Sequence, residues 1–302
     1  MIPFGRALDR AGITDREARR DYRTVARASL RRDPAHCLAV RMLVPAALQP
    51  HLLATYWFAL ATDAVADSGP PAGRRERFDR WSATVRQALN AAPGVNAAPG
   101  VSAAPGVSAA SAPDPGWGGG DPRLAAFART VTERGLPTEW IHCFLTGMRQ
   151  DTGCTTLRGE EEFERYVDRI SLPYLLLLLG VHPGCREPRQ LPGYRLLAAA
   201  CQRVDFLADL AEDSGADRAG LPGAELTEQI ARARADLRAA RPVLDLTPLE
   251  LRPMMNALLL MHALHLEAIE RAGDRVLRRK IGHPLLPTAR LLLAGHGQVR
   301  HV

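Results

Sequence analysis

No run of alternating β-branched residues occurs along the chain, and its longer apolar segments have the length and flanking residues of helices. A helix is expected from Pro50, tolerated in a first turn, to Ala66, within a largely apolar stretch that begins at Leu38. Further helices are expected over Phe78–Leu89, Arg123–Arg134, Pro137–Arg149 and Glu160–Ile170, the last opening on three glutamates that suit a helix N-terminus. Tyr194–Asp213 is long and apolar on one face. Glu225–Arg238, Pro253–Arg271 and a C-terminal stretch near Pro287–Ala294 complete the set. The expectation is an all-α fold, a single large helical domain over 1–302.

One segment breaks the pattern. Residues 90–120 repeat a six-residue unit of Asn or Ser, Ala, Ala, Pro, Gly and Val, which then decays. Pro and Gly at that density exclude a helix interior and a sheet ladder, and nothing there can fill a core. It reads as a disordered surface insertion between two helices.

Composition changes this picture little. Ala and Leu dominate the apolar residues and aromatics make up only 5%, which favours helix over sheet. The net charge is +6, and Lys280 is the only lysine among many arginines. Those arginines are scattered among acidic residues rather than gathered into a basic arm, which argues against nucleic acid as a partner. They suit bidentate binding of phosphate or diphosphate. Five unpatterned cysteines point to reduced thiols in the cytoplasm, and the charged N-terminal stretch has no secretory signal.

The candidate chemistry lies in two acidic clusters. Asp63 and Asp67 stand at i and i+4 behind the apolar run Tyr56–Ala61, and so share a helix face. Asp205, Asp209 and Asp213 form an i, i+4, i+8 stripe, with Glu212 beside it. Paired acids are commonplace on solvated faces, but like charges stacked within apolar helices need a cation. Magnesium, bound by carboxylates and phosphate oxygens, fits that need.

The block Ala39–Pro45, followed by Tyr56-Trp57-Phe58 and Asp63–Asp67, resembles the first conserved block of the squalene/phytoene synthase family, which ends in DxxxD. Gln202–Asp213, with Gly220-Leu221-Pro222 after it, resembles the second, usually written Q-x-x-N/D-x-x-R-D-x-x-E-D. The resemblance implies a class I isoprenoid synthase bundle with a central apolar cavity for prenyl chains. It also implies three Mg²⁺ ions between the aspartates and an isoprenyl diphosphate, C15 or C20, which is ionised to a carbocation. Asp63, Asp67, Asp209 and Asp213 would be the catalytic metal ligands, with Asp205 also in the metal set and, with Gln202, in contact with the substrate. It leaves the need for NADPH open.

The chain also departs from the family pattern. Leu60 and Ala208 replace arginines that normally help hold diphosphate, Asp168 replaces an aromatic residue, and His265 stands for a late-helix tyrosine. Arg41, Arg169, Arg275 and Lys280 are the candidate substitutes for substrate binding. His262 and His265, three apart, read as packing or pocket-lining residues, since no third metal ligand is evident in the sequence. Head-to-head coupling of two diphosphates is the leading expectation. A class I cyclase acting on one diphosphate and a silent lipid- or partner-binding bundle are the alternatives. The stretch Pro287–Ala294 is read as a core helix, with peripheral membrane contact as its other reading.

Overall fold

The computed structural model describes residues 2–67, 69–70, 72–92, 120–152, 157, 159–216 and 226–284, with the backbone alone for 212–216. The expected mobile insertion and the stretch Pro287–Ala294 therefore fall largely or wholly outside the described residues. Among the described residues every regular element is helical, as expected. The elements are α1 (Phe4–Arg10), α2 (Arg16–Arg32), α3 (Pro34–Leu43), α4 (Gln49–Asp67), α5 (Arg74–Ala91), α6 (Pro122–Arg134) and α7 (Thr138–Asp151). They continue with α8 (Glu160–Tyr166), α9 (Leu172–Leu179), α10 (Leu191–Ala216), α11 (Leu226–Ala240), α12 (Val243–Leu246) and α13 (Arg252–Ala272). None of the described helices is long and apolar enough to cross a membrane.

Local chemistry sets several of these boundaries. Asp15 caps α2 by accepting from the Ala18 N–H at 2.7 Å, and Asp33 caps α3 by accepting from the His36 N–H at 3.0 Å. Proline follows the cap in both α3 and α6, where its missing N–H costs nothing. Helix α2 was not expected, because arginines dominate it. Its inward stripe of Ala18, Tyr22, Val25 and Ser29 nevertheless has helical spacing.

Helix α4 is buried on almost every side and packs on α2, α5, α6, α7 and α9. Phe58 stacks on Phe127 with ring centroids 4.0 Å apart, and the Trp81 indole donates to Thr62 Oγ1 at 3.0 Å. Helix α10 is the second axis and packs on α9, α11 and α13. Because α9 touches both axes, it lies where the two acidic helices converge.

The expected helix Glu160–Ile170 is interrupted. After Tyr166 the chain makes a π-helical turn over Val167–Ser171, in which the Leu172 N–H bonds the Val167 carbonyl. Pro173 explains the break. It has no N–H for the Arg169 carbonyl four residues earlier, and its ring would crowd that carbonyl in a regular helix.

A buried polar triangle joins α2, α4 and α6. Tyr22 Oη lies 2.9 Å from Thr130 Oγ1, and His51 Nδ1 lies 3.3 Å from each oxygen. Burial, then Arg134, lowers the His51 pKa to about 3 from an ordinary 6.5. Below pH 6.5 the unfolded chain therefore binds a proton that the folded chain refuses. Stability falls as pH drops towards 3, by up to about 1.4 kcal/mol per pH unit from this residue. His51→Asn is expected to flatten the loss between pH 6.5 and 5 in urea unfolding. An unchanged slope would show that other groups control it.

Candidate active site

A cavity of about 280 Å³ opens between α3, α4, α9, α10 and α13. Leu52, Leu175, Leu178, Leu179, Met254 and Leu258 give it an apolar wall. Its polar groups are Asp33, His36, Tyr56, Ser171, Tyr174, Gln202, Asp205, His262 and His283.

Helix α10 supplies Gln202 and Asp205 one turn apart on the same face. The Ser171 hydroxyl, at the end of the π turn, donates to Gln202 Oε1 at 2.8 Å and holds the amide in place. Across the cavity the Tyr56 hydroxyl donates to Asp33 Oδ2 at 2.5 Å, and the His36 ring stacks on Tyr56 at 3.5 Å.

Tyr174, on α9, connects the two acidic helices. Burial raises its pKa far above the ordinary phenol value, and the negative charges of Asp205, Asp33 and Asp63 add to the shift. The phenol therefore stays neutral while sensing Asp205 on α10 and Asp63 on α4 together.

The carboxylates are more open than expected. Asp63 is exposed, Asp67 is half-buried, and the side chains of Asp205 and Asp209 are 48% and 32% exposed. The reason is that Asp63 and Asp67 lie on the side of α4 turned away from the core, while Ala66 in the same turn stays buried. That turn contains no basic residue, although a helix C-terminus disfavours negative charge. Asp213 lies one further turn along α10.

His265 is buried, and its Nε2 donates to the Ile281 carbonyl at 2.6 Å. His262 contacts the Leu258 carbonyl through Nδ1 at 2.8 Å and has Nε2 3.6 Å from Asp205 Oδ1. Burial opposes its charge, but Cys201 and Asp205 outweigh that, and its pKa is held well above 6.5.

The four candidate cations divide. Lys280 Nζ sits 2.8 Å from Asp209 Oδ1. Arg41 bonds Gln49 Oε1 at 2.5 Å and the Ile2 carbonyl, and lies over the Phe4 ring. Arg169 bonds Gln150 at 2.9 Å on α7, and Arg275 bonds the Ala272 carbonyl. These three arginines hold the scaffold and do not line the cavity.

The departures from the family pattern also have local explanations. Ala208 is 2% exposed, and its carbonyl accepts from the Ile281 N–H at 3.1 Å. The segment after α13 thus covers the position and brings the neighbouring Lys280 to Asp209. Asp168 pairs with Arg195 at 2.6 Å on the outside of the bundle.

Sequence reasoning missed Asp33, His36 and His283. Asp33 before Pro34 is a recognisable cap, but its place in the cavity depends on the Tyr56 bond between α3 and α4. His283 carries no local signal at all.

Residues 30–229 match the family model of squalene/phytoene synthase. A relative, the bifunctional protein CrtB/UppS of Streptomyces coelicolor, is 27% identical over 221 residues, covering 71% of this chain and 34% of its own. The chain thus spans about a third of that relative's length. The squalene synthase HpnC from Alicyclobacillus acidocaldarius superposes with a TM-score of 0.68 at 20% identity, over 87% of this chain and 98% of that one. A dehydrosqualene synthase solved in complex with ligand gives 0.68 at 14% identity, over 95% of this chain and 99% of that one. The fold is shared with both, and with two thirds of its length matched, this chain belongs to the squalene/phytoene synthase family.

Proposed function

We propose that the chain ionises an allylic isoprenyl diphosphate and, as the family's type reaction implies, joins two such molecules head to head. The observation that carries this reading is the convergence on one apolar cavity of Gln202 and Asp205 from α10, Tyr56 from α4 and Tyr174 from α9.

The donor set fits magnesium. Asp63, Asp67, Asp209 and Asp213 offer only oxygen, at one-turn spacing on two helices, and the acidic end of α4 calls for a cation. When bound there, Mg²⁺ would neutralise the charge that develops on the departing diphosphate. Lys280 beside Asp209 adds positive charge suited to an anionic headgroup, and Asp205 3.6 Å away favours the charged form of His262. The faces of Tyr56 and Tyr174 stabilise a carbocation through their π electrons without donating an anion. The leucine and methionine wall keeps water from it.

Cavity size favours a second reading. At about 280 Å³ the space is near the lower end of small-molecule pockets, roughly 300–1,000 Å³, which suits a single folded chain and hence a class I cyclase. Incubation with Mg²⁺ and geranyl, farnesyl or geranylgeranyl diphosphate distinguishes the two. A dimeric C30 or C40 hydrocarbon or alcohol is expected, whereas a monomeric cyclic product would establish the cyclase. No diphosphate release with any of the three would refute both and leave a lipid-binding bundle.

A further inference from the structure

The cavity contains a second donor set, which shares Asp205 with the aspartate ladder but adds two imidazole nitrogens. Asp205 on α10, His265 on α13 and His283 in the segment after α13 each bring one ligand atom within 4.8 Å of the other two. Two imidazoles and one carboxylate make a poor magnesium site and a good one for a borderline divalent cation such as Zn²⁺, Co²⁺ or Fe²⁺.

His265 is the strongest indication. It is only 4% exposed, and its Nε2–H is committed to the Ile281 carbonyl at 2.6 Å. That bond fixes the tautomer and leaves the lone pair on Nδ1. Among the described residues, Nδ1 is a buried atom with no hydrogen-bond partner. A buried acceptor without a partner is costly, and a ring whose other nitrogen donates to a backbone carbonyl has the orientation of a metal-bound histidine. The His283 ring lies 3.9 Å from that of His265, tilted by 37°. His262 Nε2 also lies 3.6 Å from Asp205 Oδ1.

We propose that Asp205, His265 and His283 bind one Zn²⁺-class ion, which ties the segment after α13 to α10 and α13 along one wall of the cavity. Neither the ionisation reaction nor magnesium is assumed, and the site is tested by binding alone.

The test uses the full chain stripped with a chelator, then titrated with Co²⁺ or Zn²⁺ in excess Mg²⁺. One equivalent of Co²⁺ is expected to bind with visible ligand-field absorption, and Mg²⁺ should not displace it. His283→Ala, an exposed position, and His265→Ala should each weaken binding by at least about ten- to a hundredfold. Circular dichroism reports whether each variant folds, and His283→Ala carries the test should His265→Ala fail to. Three results would overturn the proposal: no stoichiometric binding, unchanged affinity in His283→Ala, or a strong near-ultraviolet charge-transfer band assigning the ion to a cysteine.

Discussion

Asp209→Asn is expected to lower the rate of diphosphate release by a factor of about 10²–10³ or more, with the fold intact. The amide keeps the shape of the side chain and removes only its charge. What is lost structurally is a part-exposed ion pair, with Lys280 at 2.8 Å. Pairs of that kind contribute about 0–1 kcal/mol, so the melting temperature should move by only a few degrees. What is lost chemically, if the proposed function holds, is one of the charges that would hold the neutralising cation at the departing diphosphate. Asp63→Asn, from the other helix, should behave alike. Asp79→Asn is the matched control. It breaks an ion pair of similar exposure, with Arg149 at 2.6 Å, on the outer face between α5 and α7, and should leave turnover unchanged. Wild-type rates in Asp209→Asn would remove that residue from the mechanism.

The second large effect concerns stability. Glycine to alanine inside a helix ordinarily stabilises by about 0.5–1 kcal/mol, because alanine has less backbone freedom to lose. At Gly147 of α7 the sign should reverse. A methyl group there would stand 2.4 Å from the Arg169 carbonyl oxygen and 2.7 Å from Ile170 Cγ1. The carbonyl is backbone, in the π turn, and that turn is packed between α7 and α10, so it has little room to retreat. Overpacking of this kind costs about 1–3 kcal/mol, enough to outweigh the propensity gain in Gly147→Ala, and Gly147→Val should be largely unfolded. Gly5→Ala in α1, where nothing lies within 4 Å, should be neutral or slightly stabilising. Thermal unfolding of the three variants checks this, and equal melting temperatures would refute it.

Legibility in the sequence followed how local each determinant is. Helices α4, α10 and α13 were readable because long apolar runs and one-turn aspartate spacing need no partner to be recognised. Helix α2 had a capping Asp15 and an inward stripe, but its arginines obscured both. The π turn depends on Pro173, which was visible, and on the close approach at Gly147, which was not, because it joins α7 to a separate element whose packing no local pattern sets. In the site, Gln202 and Asp205 were legible as part of a spaced motif. His283 was not, since only the path of the chain after α13 brings it to His265. The arginines were legible as cations but their partners were not, since a guanidinium can bond anionic phosphate and neutral amide or carbonyl oxygens alike. Packing gave Arg41 and Arg169 to the scaffold.

The π turn has a consequence for how the molecule can vary. One extra residue in a turn offsets every later side chain by about 100° around the axis. Before the offset, α8 directs Glu160 to Arg203 of α10 and to Arg232 of α11, and Glu164 to Arg195, all scaffold contacts. After it, α9 directs Tyr174, Leu175 and Leu178 into the cavity. The rod from Glu160 to Leu179 is thus indexed twice, once for assembly and once for contents. Deleting a single residue from Val167–Ser171 would leave the first index in place and rotate the second, turning Tyr174 away from both acidic helices.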